Sequence, residues 1–141
     1  MSHQVTVGEV LESIVTLSEA DIAEFAHSCG DHNPLHHDRE FACRSRFGGI
    51  IACGPHYASL LMGFAATHFS QHASMLGLEF DLKFRRPVHA DKKLRLSWEV
   101  VAVTWKKSLG GDLVQLKGGA STIEGEQVLA ATGTILVFEQ L

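Results

Sequence analysis

The chain has 141 residues, 45% of them apolar and 20% charged, with a formal net charge of −4. That is the size and composition of one ordinary water-soluble domain, 1–141, able to bury most of its unfolded surface. The mild negative charge, with Lys92-Lys93 and Lys106-Lys107 as no more than doublets, argues against a nucleic-acid partner.

The opening Met1-Ser2-His3-Gln4 lacks a basic residue followed by an apolar run, so no signal peptide is expected. Glu12 to Leu17 reads as a first strand. Ser18 then stands as a helix N-cap with Asp21 three residues on, a box-like arrangement. Ile22, Phe25, Ala26 and Cys29 follow the spacing of an amphipathic helix, and Gly30 suits a left-handed stop. Asp31 to Asp38 reads as loop, because Pro34 disfavours helix at Asn33. A short helix is expected from about Arg39 to Arg46, ended by Gly48-Gly49.

Pro55 to about Ser70 carries the strongest helix signal, with Pro55 suited to the first turn. Tyr57, Leu60, Leu61, Met62, Phe64 and Phe69 spread around most of its circumference, so this helix should be wrapped by other structure. Its most apolar part, Ala58 to Ala66, falls short of the roughly 20 residues that cross a bilayer, so no membrane association is expected. The rest is strand-like. Leu78, Phe80, Leu82 and Phe84 alternate with charged residues up to Pro87, and Leu94, Leu96, Trp98 and Val100 alternate likewise. Asp112–Ile123 and Val128–Phe138 supply two further tracts. One buried helix followed by four strands implies an α+β hot-dog fold, an antiparallel sheet curled around a long central helix.

The three cysteines, Cys29, Cys43 and Cys53, are odd in number and show no CxxC spacing. A disulfide framework is therefore not expected, and a cytoplasmic location is.

The chemistry gathers where histidines gather. Five of the nine lie between His27 and His56, densest in Gly30-Asp31-His32-Asn33-Pro34-Leu35-His36-His37-Asp38. A carboxylate and an imidazole held five positions apart by a stiff turn can converge on one water and move its protons. Backbone N–H groups near Gly54, at the start of the long helix, suit developing enolate charge. Other readings stand beside this one. Asp31 can simply begin an Asx turn, Asn33 can fix the loop through nearby backbone, and His32, His36 and His37 can be surface residues. A metal site is the sharper rival, although these spacings fit no closed tetrahedral pattern. Cys53 invites a nucleophile reading, against its use as a small apolar residue. His56 either lines a pocket or caps the helix.

Phe25, Gly30-Asp31-His32-Asn33-Pro34-Leu35-His36 and, five residues on, Ala42 together resemble the motif of the (R)-specific enoyl-CoA hydratases among the MaoC-like dehydratases. Gly48-Gly49-Ile50-Ile51-Ala52 and Phe84-Arg85-Arg86-Pro87-Val88 extend the likeness across most of the chain. The resemblance implies a hot-dog subunit that forms a homodimer and hydrates trans-2-enoyl-CoA to (R)-3-hydroxyacyl-CoA, with Asp31 and His36 as the catalytic pair. It implies no metal and no cofactor beyond the CoA of the substrate. The Gly54 N–H would meet the thioester carbonyl, with Asn33, Cys53 and His56 as further substrate-binding candidates. Arg85, Arg86, Lys106 and Lys107 are candidates for CoA phosphates. The chain departs from the family at Ser28, at Cys53, where His is frequent, and at Pro55 and His56, which replace apolar residues. A thioesterase and a non-catalytic acyl-CoA-binding protein are the alternatives on the same fold.

Overall fold

In the computed structural model, which describes residues 5–140, the four alternating tracts form long strands and the N-terminal tract a shorter fifth. The chain runs through β1 (Val10–Thr16), α1 (Glu19–Ser28), a 3-10 turn at Pro34–His36, α2 (Arg39–Arg44) and the long α3 (Gly54–Phe69). Then come β2 (Ser74–Phe84), β3 (Lys93–Lys106), β4 (Gly111–Thr122) and β5 (Gln127–Phe138). The described strands make one antiparallel sheet in the order β1-β3-β4-β5-β2. With α3 buried against it, this is the hot-dog arrangement.

Alternation along β3 turns Leu94, Leu96, Trp98 and Val100 inward, and all four are buried. They share a core with Tyr57, Ala58, Leu61 and Ala65 of α3 and with Val114, Leu116, Leu129 and Ile135 of the neighbouring strands. Burying a Leu such as Leu61 contributes roughly 1.5–3 kcal/mol. Trp98 also ties sheet to helix, because its indole Nε1–H donates to the Leu61 carbonyl at 2.9 Å. Its bulk fits because Gly118 lies directly across the ladder. A Cβ at Gly118 would stand 2.0 Å from the Ser97 carbonyl oxygen and 2.8 Å from the Trp98 ring.

Several expectations shift in detail. Ser59, Gly63 and Thr67 are exposed, so α3 keeps one open stripe and is not covered all round. On β2, Phe80 and Leu82 are half-buried, but Leu78 and Phe84 are 50% exposed. The ladder register slips between Gly77 and Glu79, which turns Leu78 out of the alternation. Cys29, expected on the inner face of α1, is exposed because it is already the C-cap. α2 stops at Arg44, two residues early, where the Ser45 hydroxyl donates to the Ala42 carbonyl at 2.6 Å. It also accepts the Phe47 N–H at 3.2 Å. No helix among the described residues is long and apolar enough to cross a membrane.

Candidate active site

The site is built by the way α1 ends. Ser18 and Asp21 close a reciprocal capping box at its start, each side chain accepting the other's backbone N–H at 3.0 Å. At its far end Gly30 takes φ +78°, the left-handed conformation that glycine adopts without a Cβ penalty. The chain then folds back, and the Asp31 N–H donates to the Ala26 carbonyl at 2.8 Å. Asp31 Oδ1 accepts the Asn33 N–H at 3.0 Å, an Asx turn. Asn33 Oδ1 accepts the Leu35 N–H at 3.1 Å, which starts the 3-10 turn with Pro34 in its first position. This sequence of short-range bonds swings His36 round until its Nε2 lies 3.3 Å from Asp31 Oδ2.

His36 is only 5% exposed, and its Nδ1–H donates to the Ile51 carbonyl at 2.6 Å. A carbonyl can only accept, so the proton of a neutral ring sits on Nδ1 and the Nε2 lone pair faces Asp31. The carbonyl is itself held by backbone on both sides. The Ile51 N–H donates to Leu35 at 3.2 Å, Ala52 to Val88 at 2.8 Å, and Ala90 donates to Ile50 at 3.1 Å. Ile51, Val88 and Ala90 thus orient the imidazole through backbone atoms alone. Sequence reading misses them because no side chain announces the role.

Two lone-pair-bearing atoms 3.3 Å apart repel unless a proton lies between them or a donor bridges them. The Asp31 side chain keeps 32% exposure while that of His36 has 6%, so the gap opens on the carboxylate side. A water entering there can donate one hydrogen to each group. That is the arrangement general acid–base chemistry on water requires.

The other sequence candidates fall in different places. Gly54 begins α3, and its N–H belongs to the first-turn donors that a helix leaves without an internal acceptor. Cys53, the N-cap, gives no side-chain cap. Phe84 leans so close that a Cβ at Gly54 would lie 2.8 Å from its ring. Cys53 is buried, and burial pushes its pKa up against the opposing His56 backbone N–H, with the neighbouring Cys29 thiol and the Asp31 charge adding less. A raised pKa disfavours the thiolate that a nucleophile reading needs. Asn33 is exposed with its Oδ1 committed to the turn, so its visible work is structural. His56 is buried and stacks flat on Phe25, ring centroids 4.4 Å apart. His37 Nε2–H donates to the Asp31 carbonyl at 2.7 Å, supporting the loop from outside. Among the described residues no three His, Cys, Asp or Glu gather as they would around a metal ion.

The cation doublets do not converge. Arg85 bonds to the start of β5 through its N–H to Val128, whereas Lys106 ends β3. Following the register from Leu129 through Ala120 to Leu96, the doublets lie some ten β3 residues apart. At 3.3 Å per residue that is about 33 Å, too far to hold one group of phosphates within one chain. Arg86 is also paired with Glu126 at 3.4 Å.

Known proteins resemble this chain in sequence and in fold. The family model described as "MaoC like domain" matches residues 3–116. The chain is similar to the (R)-specific enoyl-CoA hydratase of Aeromonas caviae, at 28% identity over 91% of this chain and 96% of that protein. It is also similar to the 3-hydroxybutyryl-CoA dehydratase of Methylorubrum extorquens, at 31% identity over 69% of this chain and 60% of the relative. Among solved structures, the unliganded R-hydratase of Pseudomonas aeruginosa superposes with a TM-score of 0.84 at 26% identity, covering 96% of this chain and 84% of that one. The chain belongs to the MaoC-like domain family.

Proposed function

We propose that the protein is an enoyl-CoA hydratase, adding water to a trans-2-enoyl-CoA to give the (R)-3-hydroxyacyl-CoA, or running the reverse dehydration. The observation that carries the reading is the approach of Asp31 Oδ2 to His36 Nε2 at 3.3 Å, with the imidazole tautomer held by Ile51. Similarity to an enoyl-CoA hydratase and a 3-hydroxybutyryl-CoA dehydratase supports the substrate class.

In the hydration, one member of the pair takes a proton from the water that bridges them. The water oxygen bonds to C3, the C2–C3 π pair moves to C2, and charge develops on the thioester oxygen. The Gly54 N–H, at the positive end of the 16-residue α3, receives that charge. The pair then delivers the proton it took from the water to C2, which restores the thioester and leaves both groups as they began. The two groups share one water, so the role is assigned to the pair and not divided between its members. These steps use acid–base groups alone and call on no metal or cofactor beyond the substrate's CoA.

A homodimer, working in the cytoplasm, fits the same reading. β2 is an edge strand carrying exposed Leu76, Leu78 and Phe84, and an unpaired apolar edge calls for cover. The test follows loss of the conjugated enoyl-thioester absorbance with crotonyl-CoA, with product chirality determined. Hydration to the (R)-alcohol that disappears in His36→Ala is the expected result. Release of free CoA thiol without hydration points to a thioesterase, and tight binding without turnover to a carrier; either outcome defeats the proposal.

A further inference from the structure

The aim of the Asp31 carboxylate depends on what holds the two peptide groups that flank its Cα. The first is tied into the end of α1, where the Asp31 N–H donates to the Ala26 carbonyl at 2.8 Å. The second carries the Asp31 carbonyl, and His37 Nε2–H donates to that oxygen at 2.7 Å. With both groups held, the direction of the Asp31 Cα–Cβ bond is set. The Asn33 N–H on Oδ1, at 3.0 Å, then sets the rotation of the side chain and leaves Oδ2 to face His36.

Among these ties the one from His37 also joins the two members of the pair. His37 follows His36 in the chain, and His36 is anchored by its Nδ1–H to the Ile51 carbonyl. The His37 N–H donates to the Pro34 carbonyl at 3.2 Å, which keeps the residue at the end of the 3-10 turn. Its ring stands edge-on to that of His36, centroids 6.4 Å apart at 69°. The segment from 31 to 37 is thus closed into a ring by one side-chain bond, and drift of Asp31 away from His36 has to break it. The core does not need this side chain, because His37 is exposed. Without the imidazole, water would satisfy the Asp31 carbonyl and hold no geometry.

We infer that His37 is a positioning residue for the hydration, holding the Asp31 carboxylate at its working distance from His36 by gripping the Asp31 backbone carbonyl. The inference rests on the hydratase reading of the pair. His37 acts through Asp31 and touches neither the water nor the substrate. A solvent-open bond of this kind adds little to stability, yet misplacing a reacting group by about 1 Å costs up to about 100-fold in rate. Its signature is therefore a loss of kcat in a protein that folds and binds normally.

The test measures crotonyl-CoA hydration and thermal melting in a double-mutant cycle. His37→Leu should lower kcat about tenfold with KM within about twofold. Its Tm should stay within about 2 °C of the unaltered protein, as for other exposed positions. His37→Gln, whose amide can donate to the same carbonyl, should keep kcat within about threefold. On an Asp31→Asn background there is no carboxylate left to aim, so His37→Leu should cost less than about twofold there. An unchanged kcat in His37→Leu overturns the inference, and so does an equal tenfold loss on the Asp31→Asn background. Failure of His37→Leu to fold overturns it as well, since the role would then be structural. If the unaltered protein hydrates crotonyl-CoA and any of these results appears, only this inference falls; if crotonyl-CoA is not hydrated, the hydratase reading falls with it.

Discussion

Replacing Asp31 by Asn separates the turn-forming role of this side chain from its chemical one. Oδ1 accepts the Asn33 N–H at 3.0 Å, and an amide oxygen can do the same. That bond fixes the amide orientation, since the Asn33 N–H needs an oxygen and not an NH2. The amide nitrogen then faces His36 Nε2 across the former 3.3 Å gap and donates into its lone pair. The turn survives with a neutral bond in place of a charge-assisted one, a loss of about 1 kcal/mol. For a chain of this size that lowers Tm by about 3–4 °C. The chemistry does not survive: one proton acceptor is gone and the other is occupied. Loss of acid–base function costs about 10²- to 10⁴-fold in kcat, roughly 3–5 kcal/mol of barrier. Asp31→Ala loses the turn bond as well and should melt lower than Asp31→Asn at equally poor activity. Thermal melts paired with enoyl-CoA absorbance assays read both quantities. An Asp31→Asn protein that keeps more than about a fifth of the original rate, beyond what such a loss permits, would refute the reasoning. So would one that melts together with Asp31→Ala.

Gly118→Ala puts a Cβ 2.0 Å from the Ser97 carbonyl oxygen, where backbone has to move, and against the buried Trp98 ring. A loss of about 3 kcal/mol or more is expected in urea unfolding, against the 1 kcal/mol of an average substitution; a loss under 1 kcal/mol would mean the β3/β4 ladder is looser than described. Thiol labelling of the native protein should modify Cys29 and Cys43 quickly and Cys53 only on unfolding, because the first two are exposed while the third is buried and burial raises its pKa. Three equally fast thiols would contradict this. Burial holds the His56 pKa below its ordinary 6.5, with Asp21 opposing more weakly. As pH falls, the unfolded chain takes up that proton first, so the stability from keeping His56 neutral is complete above 6.5 and is lost as pH drops through the folded value. Chemical denaturation at a series of pH values should give a shallower acid-side loss for His56→Leu than for the unaltered protein, and identical slopes would count against it.

The elements were readable because their determinants are local. The capping box at Ser18 and Asp21 and the left-handed Gly30 depend on residues a few positions apart, and both stand as expected. The alternation of Leu94, Leu96, Trp98 and Val100 declares an inward face directly. Where the structure departs, a non-local contact or a backbone irregularity intervened. The slip at Leu78 depends on how β2 meets β5, and Cys29 is exposed because the helix had already ended beneath it.

At the site, the sequence by itself determined which groups are available and the stiffness of the turn that carries them, because Asx turns, proline and glycine act over a few bonds. Only tertiary structure decided that the Ile51 carbonyl, fifteen residues from His36, holds the proton on Nδ1 and leaves Nε2 for Asp31. It likewise decided that Cys53 is buried beside Cys29, and that His56 lines a cavity with its Nδ1 unpartnered. The physical reason is common to all three. Burial and tautomer are set by what packs against a side chain from elsewhere in the fold, and backbone carbonyls, which every residue carries, leave no mark in a sequence.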